Sequence, residues 1–135
     1  MKKKVFLGGT VNNSNWRDSI KSKLKIDYYD PVVGDWTEAD YKRELSERDK
    51  CDYCLYVITP KMNGFYSVAE VIDDSNKRPD KTLFCVLDQD DNKEFSDFQK
   101  KSLTAVGRMV QKNGAKWLDN LDDVADFLNT DINDK

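Results

Sequence analysis

Tyr53-Cys54-Leu55-Tyr56-Val57-Ile58-Thr59 is the stretch on which the fold turns. It is apolar or aromatic at nearly every position and reads as a buried strand, with the Asn63-Gly64 turn just beyond it. Thr82-Leu83-Phe84-Cys85-Val86-Leu87 has the same character, the unbroken apolar run of a parallel strand covered on both faces. Between the two, residues 67–76 read as a helix. A buried strand, a helix and a second buried strand form a unit that needs helices on both sides of the sheet.

The pattern continues in both directions. Upstream, residues 5–10 predict a strand, and residues 16–24 predict a helix capped by Ser14 or Asn15. Residues 26–32 predict a second strand, ended by Asp30-Pro31. A longer charged helix follows to about Lys50, with Thr37 as cap, Asp40 three residues on, and Tyr41 and Leu45 as an apolar stripe. Downstream, residues 95–112 are helical in pattern with Gly107 as a weak point, residues 115–118 form a short edge strand, and residues 121–128 form an amphipathic helix. From about Thr130 the chain is expected to fray. The whole predicts an α/β fold, a single-domain flavodoxin-like or Rossmann-like three-layer sandwich over residues 1–135 with a five-stranded parallel sheet.

Composition narrows the chemistry. The chain has 135 residues, 35% of them charged, and a mean hydropathy of −0.77, so a globular core carries a heavily solvated surface. Net charge is −3 with the signs interspersed, which provides neither a basic field for nucleic acid nor a polybasic patch for a membrane. The apolar stretch that follows Met1-Lys2-Lys3-Lys4 is far below signal-peptide or transmembrane length, and a cytoplasmic protein is expected. With no histidine, His-based triads, H-E-x-x-H zinc sites and imidazole bases are excluded. Cys51 and Cys54 are spaced C-x-x-C, but they end a helix and sit in a strand, so they and Cys85 read as structural and no metal site is expected.

In such a fold a ligand binds beyond the carboxyl ends of the strands, where the loops after Gly8, Asp30 and Thr59 converge. Gly8-Gly9-Thr10 allows close approach of a ligand to the backbone or simply makes a tight turn; it is neither a dinucleotide fingerprint nor a Walker A loop. Asp30-Pro31 and the downstream Trp36 offer either a stacking wall for a flat base or a core anchor, and Trp16 carries the same alternatives. Asp40, Glu44, Glu47 and Asp49 read mostly as solvent-facing charges paired with Lys42, Arg43, Arg48 and Lys50, with one carboxylate available to face the crevice. The turn at Asn63-Gly64 aims Tyr66, Ser67 and the residues after them at the same place. Glu70 is the carboxylate there able to do chemistry, or one more charge on a solvated helix.

Taken together, Phe6-Leu7-Gly8-Gly9-Thr10, Asn15-Trp16-Arg17, Tyr29-Asp30-Pro31 with Trp36, Asp52-Tyr53-Cys54-Leu55-Tyr56-Val57 and Ser67-Val68-Ala69-Glu70 resemble the nucleoside 2-deoxyribosyltransferase-like family in order and spacing, over roughly residues 4–90. The resemblance implies a glutamate nucleophile at Glu70 and a sugar-holding loop at Gly8, Gly9 and Thr10. It also implies a carboxylate that positions and protonates the base, at Glu44. Gly64 falls where some members carry a sugar-gripping aspartate, and Asp30 where the pattern usually has asparagine. The implied chemistry is cleavage or transfer at the N-glycosidic bond of 2′-deoxynucleosides or their 5′-monophosphates, without a cofactor, in a homo-oligomer. Two alternatives stay open: a non-catalytic nucleoside- or nucleotide-binding module, and a TIR-like NAD-cleaving domain.

Overall fold

The structure, a computed structural model, describes residues 2–11 and 13–130. In chain order the elements are β1 (Lys4–Gly9), α1 (Trp16–Lys21), β2 (Asp27–Tyr29), α2 (Glu38–Lys50), β3 (Tyr53–Ile58) and α3 (Tyr66–Lys77). A 3-10 turn, Pro79–Lys81, leads into β4 (Thr82–Val86), then β5 (Gln89–Asp90), β6 (Lys93–Glu94), α4 (Asp97–Lys112), β7 (Lys116–Leu118) and α5 (Leu121–Thr130). Five strands form one parallel sheet in the order β2-β1-β3-β4-β7, and β5 and β6 form a separate antiparallel hairpin.

Alternate residues of a strand point to opposite faces, and that explains why the central strands are apolar throughout. Val5, Leu7, Leu55, Val57, Leu83 and Cys85 face one layer, packed on Trp16 and Ile20 of α1 and on Val124 and Leu128 of α5. Phe6, Cys54, Tyr56, Ile58 and Phe84 face the other, against Val71 of α3 and Leu103 and Val110 of α4. The register places Leu7 beside Leu55 and Leu55 beside Leu83, so side chains of one layer lie in rows across the sheet. The chain leaves β1 toward β2 on one side and leaves β3 toward β4 on the other. The carboxyl ends of β1 and β3 are therefore the topological switch point, where the connecting loops part and leave a crevice.

Several local expectations need correction. The second strand is three residues, not seven, because Pro31 has no N–H to pair and Asp30 Oδ1 captures the Val32 N–H at 2.9 Å. Helix α1 ends at Lys21, and neither cap candidate caps it by side chain. Asn15 occupies the cap position without a side-chain bond, while Ser14 Oγ donates to Asp90 Oδ2 at 2.5 Å. Thr37 and Asp40 do form the reciprocal capping box of α2. The β5–β6 hairpin was not foreseen: two-residue strands show no period, and the chain turns with Asp91 at φ 55°. Gly107 lets α4 sit on Trp117, since a Cβ there would lie 2.5 Å from the indole ring. Thr130 closes α5, its Oγ1 donating to Asp126 O, and the rest of the expected frayed tail, residues 131–135, lies outside the described residues.

Candidate active site

A cavity of about 540 Å³ opens at the switch point, floored by Phe6 and Ile58. Its first wall is Gly8-Gly9-Thr10. Gly9, at φ 121°, brings its backbone so close to β3 that a Cβ would lie 2.1 Å from Val57 O, and only glycine fits. Thr10 N donates to Val57 O at 2.9 Å, and Thr10 Oγ1 accepts from Thr59 N at 3.0 Å. Arg17, also on the wall, clamps this loop from behind. Its Nε, Nη1 and Nη2 donate to Leu7 O, Thr10 O and Gly9 O at 3.0, 2.6 and 3.3 Å. Burial lowers its pKa to about 10, with Asp30 at 3.7 Å opposing the shift.

The second wall is Pro31, Val32, Val33 and Trp36. Trp36 is 56% exposed and stands edge-on to Tyr41, ring centroids 5.3 Å apart. Its Nε1 donates to Glu44 Oε2, so the loop after β2 and the face of α2 are tied together at the cavity. The third wall is Met62, Asn63, Gly64, Tyr66, Ser67 and, one helical turn on, Glu70. Glu70 is buried although it is a carboxylate, and its Oε2 accepts no hydrogen bond among the described residues. Arg48 Nη1 lies 3.5 Å from that oxygen. Burial raises the Glu70 pKa to about 7; Glu44 and Asp74 add to the rise, and Arg48 and Arg17 oppose it. A carboxylate poorly solvated by partners and facing an open cavity suits attack on an electrophilic carbon.

Of the residues expected at the site, Gly8, Gly9, Thr10, Pro31, Trp36, Glu44, Gly64, Tyr66, Ser67 and Glu70 come together on one cavity. Trp16 and Asp30 stand behind its walls. Trp16 is a core residue whose Nε1 donates to Thr10 O at 2.8 Å, and Asp30 binds Lys21 Nζ at 2.5 Å beside Arg17. Arg48 is not a solvent-facing partner of its own helix: it is buried between α2 and α3 and binds Asp74 and Asp73. Arg17, Arg48, Asp74 and Tyr56 were missed as contributors. The signal that finds Arg48 and Asp74 is their spacing, each four residues beyond Glu44 and Glu70 and so on the same helix faces.

Cys51, Cys54 and Cys85 are all buried and free, and burial pushes their thiols up, as befits structural cysteines. Among the described residues no group of three His, Cys, Asp or Glu side chains is placed to hold a metal ion, and no helix is long and apolar enough to cross a membrane.

A family model described as nucleoside 2-deoxyribosyltransferase like matches residues 2–90, the segment that supplies every wall of this cavity. The chain belongs to the nucleoside 2-deoxyribosyltransferase-like family. No curated protein matches it. Membership supports a general role in glycosyl transfer and binding of a small nucleoside, and the three converging loops are where a ligand of that size has room in this member of the family. Beyond the match, α4, β7 and α5 complete the sheet and both helical layers of this nucleoside 2-deoxyribosyltransferase-like fold.

Proposed function

We propose that the protein cleaves, or transfers across, the N-glycosidic bond of 2′-deoxynucleosides or their 5′-monophosphates, with Glu70 as nucleophile. The observation that carries this reading is the Glu70 carboxylate: buried, without a hydrogen bond to Oε2 among the described residues, and on the wall of a cavity that Gly8-Gly9-Thr10 and Trp36 share. A Glu70 oxygen forms a bond to C1′ as the bond from C1′ to the base nitrogen breaks. The electron pair of that bond leaves with the base, which takes a proton from water or from Glu44. Attack on C1′ by an acceptor base, or by water, then restores the Glu70 carboxylate. The first makes a deoxyribosyltransferase, the second an N-glycosidase, and neither needs a cofactor.

Gly8, Gly9 and Thr10 hold the sugar, Trp36 and Pro31 flank the base, and Gly64, Tyr66 and Ser67 close the side next to Glu70 in this reading. Trp16 and Asp30 support the two loops from behind. We take residues 1–135 to act as one domain in the cytoplasm, assembled as a homo-oligomer. An apolar groove between α3 and α4 shares Met62 with the cavity, and Phe65 and Phe98 are exposed at 79% and 83%, which supports assembly beside the site. The test is incubation with a panel of deoxynucleosides and deoxynucleotides, with and without an acceptor base, followed by measurement of free and exchanged base. Release by the wild type and its loss in folded Glu70→Gln is the expected result. Equal turnover in the variant overturns the assignment.

A further inference from the structure

The facing surfaces of α2 and α3 each carry a charged pair one helical turn apart: Glu44 and Arg48 on α2, Glu70 and Asp74 on α3. Glu44 and Glu70 line the cavity, whereas Arg48 and Asp74 lie outside its lining, and Asp74 is wholly buried. Arg48 Nε and Nη2 donate to Asp74 Oδ2 and Oδ1 at 3.3 and 2.8 Å, a two-point grip that sets the plane of the guanidinium. From β3, Tyr56 OH donates to Asp74 Oδ2 at 2.5 Å, and Arg78 Nε stands 3.0 Å from Asp74 Oδ1. The remaining nitrogen of the fork, Nη1, is thereby directed at Glu70 Oε2, the oxygen without a hydrogen bond among the described residues, at 3.5 Å.

We propose that Arg48, held by Asp74 and Tyr56, is a positioning residue for Glu70 that keeps the attacking carboxylate charged and fixed in direction without itself touching substrate. The proposal rests on the reading of Glu70 as nucleophile. The charged and titratable groups that face Glu70 are Arg48 and Glu44 on α2, Asp74 and Tyr66 on α3, Tyr56 on β3 and Arg17 on α1. Among the described residues Arg48 is the cation within 4.0 Å of it. An ionised carboxylate with neither hydrogen bonds nor a nearby cation is costly to bury, so the charge on Glu70 depends on this neighbour.

The experiment follows the Glu70 carboxyl directly by carbon NMR in protein labelled on glutamate, the signal assigned by its loss in Glu70→Gln. The pH profile of base release is recorded alongside. Arg48→Gln raises the Glu70 midpoint by about one pH unit or more and carries the acid limb of kcat/KM with it. Arg48→Lys stays nearer the wild type. Asp74→Asn keeps an oxygen to accept from Arg48 Nη2 while it removes a neighbouring negative charge, so it shifts the midpoint the opposite way. Because Arg48→Gln leaves Asp74 less well paired, Arg48→Gln with Asp74→Asn, compared with Asp74→Asn alone, carries the same test if the single variant does not fold. An unchanged midpoint on loss of Arg48, or shifts of one sign in Arg48→Gln and Asp74→Asn, overturns the proposal. Opposite shifts in a protein that releases no base support the coupling and overturn the functional reading instead.

Discussion

Arg17 and Arg48 are 5% and 4% exposed, flank one cavity, and differ in what their donors meet. Arg17 commits its donors to main-chain carbonyls of Leu7, Gly9 and Thr10, with Asp30 only at 3.7 Å, and burial lowers its pKa to about 10. For Arg48, burial pulls in the same direction, but its hydrogen bonds to Asp74 and the charges of its neighbours outweigh it and raise the pKa. A guanidinium on carbonyls shapes a loop; one on carboxylates sets their charge. The first therefore serves substrate fit and the second the ionisation of Glu70.

The largest effect is expected at Arg17. Arg17→Met leaves buried carbonyls without their donors and should cost roughly 3–5 kcal/mol of stability by urea unfolding. Where the variant still folds, kcat/KM falls at every pH, and the acid limb moves less than in Arg48→Gln, since Arg17 is the weaker of the two cations acting on Glu70. A displacement as large as that of Arg48→Gln would mean that Arg17 sets the charge of Glu70 as strongly as Arg48 does.

The next effect in size is expected at Glu70. Its folded pKa, about 7, lies above the ordinary 4.5, so the folded protein holds the proton more tightly than the unfolded chain, and stability falls as pH rises between those values. Glu70→Gln removes that penalty. It should exceed the wild type by on the order of 2–3 kcal/mol at pH 8 and lose the advantage near pH 4, read from urea midpoints at the two pH values. A variant no more stable at the higher pH would place Glu70 in a better solvated setting. In the wild type the rate of base release should rise through pH 7, because the attacking group must be ionised.

Trp36 provides the smallest effect. More than half exposed, it contributes little to the core, so Trp36→Phe should change stability by less than about 1 kcal/mol. Loss of the indole N–H frees Glu44 and should raise KM several-fold with a smaller change in kcat, as measured by steady-state kinetics. An unaltered KM would remove Trp36 from the base-binding wall.

How much of this was legible varies by region for physical reasons. The parallel sheet was readable because strands covered on both faces must be apolar throughout, as Tyr53–Ile58 is. The cavity walls were readable at glycines and at Trp36, residues with few roles in a loop. The two arginines were not. A cation in a helix as charged as α2 has the local pattern of a solvated side chain, and Arg48 is buried because Asp74, itself bound by Tyr56, meets it from α3. Trp16 shows the converse: an aromatic at a helix start fits either wall or core, and Thr10 O, reached only in three dimensions, decides for the core. The hairpin at Gln89–Glu94 escaped because its strands are too short for alternation, although Asp90 ties Ser14 and Thr59 together beside the first loop.

Mass analysis of protein quenched during turnover of a 2′-deoxynucleoside at pH 8 tests Glu70 as nucleophile directly. The expected result is a deoxyribosyl group on the peptide that carries Glu70, and neither adduct nor base release in folded Glu70→Gln. Base release by that variant, or an adduct on another residue, would contradict it.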